Sequence, residues 1–295
     1  MQKSFYWGVF LVFLGACSYG VLATIVKLGY IAGYNTFEIT FGQFAIGWST
    51  LLLIVLIHKK TRLLSTANFP KKRSLMLAGA SMGFTGVFYY LCVKNVSVSL
   101  AIVLLMQSTW MGVVTEWLIE KQRPPIRKII AAVIVLIGTA LAAQLFNSEL
   151  ELNITGILLG LIAAISYTIT VFASGTVATN LPALERSFWM LSGGFIIVLI
   201  YGLFSYTGSF DTSILFSYGI PLALFGTILP PILFNYGMPS TGTAVGTIIG
   251  AVELPVSVLM AYFILSEVID FAQWIGILLI LSAVILMNYR QALKN

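Results

Sequence analysis

The chain has 295 residues, of which 59% are hydrophobic and only 9% charged, with a mean hydropathy of +0.99. A soluble domain carries roughly 25% charged residues, so this chain lacks the polar surface to cover a water-exposed fold, and lipid is its natural solvent. One histidine, His58, and two cysteines in apolar runs, Cys17 and Cys92, exclude a disulfide framework, metal catalysis and a hydrolytic triad, while the net charge of +6 is distributed in a way that points to membrane topology rather than to nucleic acid.

At the N-terminus, Lys3, an apolar run and Leu14-Gly15-Ala16-Cys17 imitate a lipoprotein signal peptide. The run continues past Cys17 through Val26, and its pattern recurs mid-chain, so it reads as a first spanning helix. A membrane helix needs about 20 mostly apolar residues. Ten such segments follow one another: 5–31, 36–57, 74–94, 98–118, 127–146, 154–178, 186–206, 213–236, 243–265 and 270–290. The connections 95–97 and 237–242 are so short that their flanking helices must form antiparallel hairpins. The longest connection, 58–73, is polar and basic.

With the N-terminus in the cytoplasm and ten alternating helices, every Lys and Arg except Lys27 and Lys94 falls on the cytoplasmic side, Arg186 included. The outer loops carry Glu149, Glu151, Asp211 and Asp270 instead. This positive-inside pattern predicts both termini in the cytoplasm and the protein in the cell inner (cytoplasmic) membrane.

The two halves, 1–146 and 147–295, resemble each other. Residues 8–19 read GVFLVFLGACSY and residues 156–167 read GILLGLIAAISY, and Leu118-x-Glu120 matches Leu265-x-Glu267. Five helices per half is an odd number, so the second half must be inverted in the membrane, which places a substrate site near the midplane between the halves. The predicted fold class is therefore an all-α membrane protein of ten transmembrane helices in two inverted five-helix repeats.

Ala244, Glu253-Leu254-Pro255-Val256, Leu265-Ser266-Glu267 and Gly276 carry a resemblance to the drug/metabolite transporter superfamily, in its EamA-type ten-helix branch. The first half departs from the pattern: Ser108 stands where proline is usual, and the turn Glu120-Lys121-Gln122-Arg123-Pro124-Pro125 is longer. The resemblance implies a transporter of amino acids, related metabolites or amines, often outward and often proton-driven.

Glu253 is the sharpest functional candidate. It falls deep in the ninth segment, where a charge costs at least about 2.5–3.5 kcal/mol. A carboxyl held away from water is cheaper neutral than ionised, which suits proton coupling; a hydrogen bond to a neighbouring helix is the bland alternative. Pro255 cannot donate to the Ala251 carbonyl, leaving that oxygen as a ligand or hinge. Lys27 and Lys94 either snorkel to the interface, bind a substrate carboxylate, or pair with Glu38 at an outer gate. Gln43 and Gln107 need partners in lipid and either bind substrate or link helices. Tyr19 and Tyr167 are related by the repeat; with Tyr89, Tyr90, Trp110 and Tyr236 they either pack the core or line a cavity for an aromatic or cationic amine. Glu116 and Glu120 read as a solvated cytoplasmic cluster, or as a gate between the halves. Gly79-x-x-x-Gly83 and Gly242-x-x-x-Gly246-x-x-x-Gly250 are small-residue ladders. The sequons at Asn95 and Asn153 read as chance.

The expected function is secondary active transport of a small organic metabolite, an amino acid or related amine, most naturally by export, by alternating access and with protons as the coupling ion. Import or facilitation of a quaternary amine such as choline uses the same architecture. No Walker A motif is present, so ATP is not the direct driver. No cofactor and no metal is expected, and the partners are the substrate and the bilayer, with the protein a monomer or homodimer. An intramembrane lipid-modifying enzyme would need a His, Asp or Ser cluster that the scattered polar residues do not supply.

Overall fold

The structure is a computed structural model, which describes residues 2–60, 69–96, 98–121, 123–143, 153–206, 208–266 and 268–289. Arg62, Ser97, Gln122, Glu149, Glu151, Glu267, Arg290 and Lys294 lie outside the described residues, as do the side chains of Lys3, His58, Lys59, Lys60 and Glu120. Among the described residues the chain is all helix, with no strand. Among the described residues eight helices are long and apolar enough to cross a membrane, which makes this a multi-pass membrane protein.

In chain order the elements are α1 (Gln2–Ile31), α2 (Thr36–Lys60), α3 (Phe69–Asn95), α4 (Val98–Leu105), α5 (Ser108–Glu120), α6 (Ile126–Ala142), α7 (Ile154–Thr176), α8 (Ala183–Ser205), α9 (Ser213–Ser217) and α10 (Gly219–Ala223). A π-helical turn over Leu224–Ile228 follows, then α11 (Leu229–Thr241), α12 (Thr243–Gly250), α13 (Glu253–Leu265) and α14 (Phe271–Tyr289). The spans Leu100–Ile119, Gly219–Thr241 and Thr243–Leu265 are thus internally broken or bulged helices. The connection expected over 237–242 is shorter than it looked: α11 runs on through Thr241, and Gly242 alone turns the chain. Its φ of 83° lies in the left-handed region that glycine alone enters freely. Gly242 is therefore a turn and not the first rung of a ladder.

The two broken spans have the same construction. Each consists of eight helical residues, a two-residue break and thirteen helical residues. Each ends on a left-handed residue, Lys121 with φ 54° and Ser266 with φ 56°. This register sets Ser108 opposite Glu253 and Trp110 opposite Pro255, two residues away from the alignment that Leu118-x-Glu120 suggests. The longer polar turn after Glu120 misled the sequence match, because the helices are registered by their central breaks.

Helix contacts follow the small residues. α3 packs against α7 and α8, α1 against α11 and α13, and α6 against α14. A Cβ at Gly79 would run into the Met190 backbone, and one at Gly83 into Gly194, so these backbones approach as lipid-embedded helices do when small residues line the seam. Asn153 is explained without a glycan: it caps α7, its side chain accepting the Gly156 N–H at 3.2 Å.

Arg186 departs from its expected role as a loop charge. It is 1% exposed in the first turn of α8. Its guanidinium donates to the carbonyls of Ser174 at 2.5 Å and Val177 at 3.1 Å, where α7 ends, and to Asn235 at 2.8 Å. Asn235 lies four residues before Pro239, inside α11. Proline has no N–H to give that carbonyl, and Arg186 supplies the missing donor. Leaving a buried acceptor unpaired costs about 1–3 kcal/mol. Arg186→Leu is therefore expected to destabilise the fold by roughly 3 kcal/mol or more, read as a lowered unfolding midpoint in detergent micelles. In a Pro239→Ala background, which restores a donor to Asn235, the same change should cost less.

Candidate functional site

A cavity lies where α1, α2, α3, α7, the π-turn and the two broken helices meet. α1 supplies a single stripe, Tyr19, Leu22, Ala23, Val26, Lys27 and Tyr30, at the three- and four-residue spacing of one helix face. α3 supplies Met82, Thr85, Gly86, Tyr89, Tyr90 and Val93 on the same principle. Glu253 enters at the first residue of α13, so the break at Ala251–Val252 is what delivers its carboxyl to the wall. The Ala251 carbonyl is not left free by Pro255: it accepts the Leu254 N–H at 3.2 Å.

Two interactions order the wall. Tyr90 donates its hydroxyl to Gln43 Oε1 at 2.9 Å. Thr227 Oγ1 donates to the Gln43 carbonyl at 3.1 Å, tying the π-turn to α2. Tyr19 sits edge-on to both Tyr167, with ring centroids 6.3 Å apart, and Phe234, at 5.8 Å. Tyr167 is 5% exposed, and its hydroxyl has no hydrogen-bond partner among the described residues.

The cavity reaches toward the Gly33 end of the bundle, as far as Lys27 and Tyr30. At the opposite end, marked by Gly242, the helices close on one another. A Cβ at Gly8 would strike Ser240, and Thr247 fills the space beside Gly112. Glu116 seals this end between the two halves of the chain. One of its carboxylate oxygens pairs with Lys128 on α6, and the other accepts the Ala244 N–H, in the first turn of α12, at 2.8 Å. Glu116 is accordingly not a member of a solvated cluster but a cap on a helix of the other half.

Of the residues singled out in the sequence, Tyr19, Lys27, Gln43, Tyr89, Tyr90, Tyr167 and Glu253 share this one wall. Five others are seated elsewhere. Gln107 occupies the α4–α5 break, donating to the Val103 carbonyl at 3.0 Å and accepting from the Trp110 indole at 3.0 Å. Trp110 is 42% exposed and Tyr236 57% exposed, both on the outer surface of the bundle, and Lys94 is exposed as well. Glu38 forms a capping box with Asn35, accepting its N–H at 2.8 Å, and also accepts the Asp211 N–H at 2.8 Å. The wall further includes Tyr30, Thr85, Thr170, Gly226 and Thr227, which sequence reasoning passed over. Tyr30 continues the Tyr19 stripe, and Pro230-Pro231 marks the helix distortion that exposes Gly226.

The sequence model of the EamA-like transporter family matches residues 6–144 and again 154–289. The chain belongs to this family, part of the drug/metabolite transporter superfamily, whose members are membrane transporters and not enzymes. No curated protein sequence matches the chain significantly. Among 28 matching chains of known structure, a crystal structure of another protein superposes with a TM-score of 0.79, covering 96% of this chain and 98% of its own, at 13% identity. At that identity the likeness is one of fold.

The two buried tyrosine hydroxyls should respond differently to removal. Tyr90→Phe strands the Gln43 oxygen and is expected to cost about 1 kcal/mol. Tyr167→Phe removes a hydroxyl that has no partner, and should leave stability unchanged or slightly raised. Paired thermal unfolding of the two variants checks this contrast.

Proposed function

We propose that this transporter moves a small organic metabolite, an amino acid or related amine, across the cytoplasmic membrane by alternating access. The observation that carries the reading is a cavity closed at one end and walled by five tyrosines, with the Glu253 carboxyl among them. α6, with 17 residues and so about 26 Å long, and its partner α14 complete ten spans beside the eight longer ones. Ten spans in two five-helix repeats make the second repeat inverted. The basic residues other than Lys27, Lys94 and the buried Arg186 then set both termini in the cytoplasm. In that orientation the Gly33 end faces outward, and the cavity is the outward-open site of an exporter or an exchanger.

Glu253 is the coupling residue in this reading, taking a proton in one state and releasing it in the other. Purified protein in proteoliposomes is expected to accumulate or release solute faster when a pH gradient is imposed, and Glu253→Gln should abolish the gradient-driven component. Transport by that variant that stays fully gradient-driven would remove Glu253 from coupling. A second reading, uptake or facilitated diffusion of a quaternary amine, draws on the same tyrosines, whose faces attract cations.

A further inference from the structure

The π-turn presents a polar group that no part of the helix can satisfy. In an α-helix the carbonyl of Gly226 would accept from residue 230, and in a π-helix from residue 231. Both are prolines and have no N–H. The remaining nearby donor, the Leu229 N–H, is committed to the Leu224 carbonyl. The Gly226 carbonyl is thus an acceptor without a backbone partner, on a residue that lines the cavity.

Beside it lies a donor. The Gln43 side chain packs so closely on Gly226 that a Cβ there would collide with its Nε2. Tyr90 occupies the Gln43 Oε1, which leaves the amide N–H groups as the end presented to Gly226. This pair sits on one flank of the α1 stripe: Ser18 donates to the Phe225 carbonyl at 3.0 Å, and Leu22 lies 2.9 Å from where a Gly226 Cβ would be. Glu253 sits on the other flank, its carbonyl 2.6 Å from where a Gly20 Cβ would be. At about 100° per residue, Gly20 and the Ser18–Leu22 pair bracket the Tyr19–Ala23 stripe at one height. The cavity wall therefore carries the Gly226–Gln43 pair and Glu253 as separate polar groups.

We propose that the Gly226 carbonyl and the Gln43 amide form a subsite for a ligand group that carries an N–H donor beside an acceptor oxygen. The ammonium–carboxylate head of an amino acid and a primary amide both fit this description. A quaternary ammonium does not, because it has no N–H for the Gly226 carbonyl. This inference rests on the transport reading above and divides its two substrate alternatives. The Pro230-Pro231 pair is what keeps the subsite open.

The test uses four probes on the purified full chain: phenylalanine, phenylalaninamide, phenethylamine and N,N,N-trimethylphenylalanine, chosen to suit the tyrosine wall. Binding is read by thermal shift and by competition with flux in proteoliposomes. Phenylalanine and its amide should bind about tenfold more tightly than the trimethyl compound, since one lost hydrogen bond to a buried acceptor is worth about a factor of ten, with phenethylamine between. Pro230→Ala gives residue 230 an N–H that takes the Gly226 carbonyl, and should erase the preference over the trimethyl compound. Equal binding of phenylalanine and its trimethyl form, no binding by any of the four, or an unchanged preference in a folded Pro230→Ala variant overturns the subsite. The probe series on the unaltered protein decides the matter if that variant does not fold. Flux of other solutes under those results leaves the transport reading standing, whereas absence of flux for every solute sinks that reading instead.

Discussion

A bilayer offers no water to a stranded backbone group, so each N–H and C=O in its interior must find a partner within the protein. Prolines inside spanning helices break that rule locally, and this chain resolves each break in a different way. At Pro239 the freed Asn235 carbonyl is taken by Arg186. At Pro255 the Ala251 carbonyl falls back on the Leu254 N–H, one residue tighter. At Pro230 and Pro231 the Gly226 carbonyl has no backbone donor along its own helix, and Gly226 lines the cavity. The first two solutions are structural; the third falls on a residue of the cavity wall. The positions of the prolines thus separate scaffold from site.

The broken helices add a second constraint. α5 and α13 both begin at the centre of the bundle, and the register of their breaks sets Ser108 opposite Glu253. Helix N-termini carry a partial positive charge, which favours a carboxylate placed there. The repeat gives the two helices the same geometry, but only the second carries an ionisable group at that position. The two spans are thus alike in their backbone and different in their chemistry, with Ser108 on one and Glu253 on the other.

Much of this was legible in the sequence, for identifiable reasons. Lipid demands long apolar runs, so the existence of the long helices was readable, while bounds such as 213–236 for Gly219–Thr241 and the breaks inside three spans were not; helical spacing put Tyr19 and Lys27 on one face of α1. The face of a helix is harder to read when the helix is apolar all round, because hydropathy then has no preferred side. Trp110 and Tyr236 were for that reason indistinguishable from cavity residues, though both point outward. Arg186 looked like a topology signal because it follows the short polar stretch before α8, and only the carbonyls it binds reveal a buried role. The π-turn left a trace in Pro230-Pro231, but that trace shows where hydrogen bonds fail and not which way the freed carbonyl points.

The same logic bears on how the closed end opens. At the Gly242 end the halves are joined by a helix cap, Glu116 to the Ala244 N–H, with Lys128 neutralising the carboxylate. The seam beneath it includes close contacts of glycine on small polar residues, Gly8 on Ser240 and Gly112 on Thr247, beside apolar neighbours such as Val12 and Met238. Contacts of this kind bury little apolar surface, and between helices in lipid the hydrophobic effect does not resist their separation. What resists is the loss of the Glu116 hydrogen bond and ion pair. When α5 and α12 part, water entering from that end can solvate both the Glu116–Lys128 pair and the freed Ala244 N–H, which removes most of that penalty. The cap is therefore strong while this end is dry and weak wherever water reaches it, because charge-assisted contacts lose strength in a high dielectric.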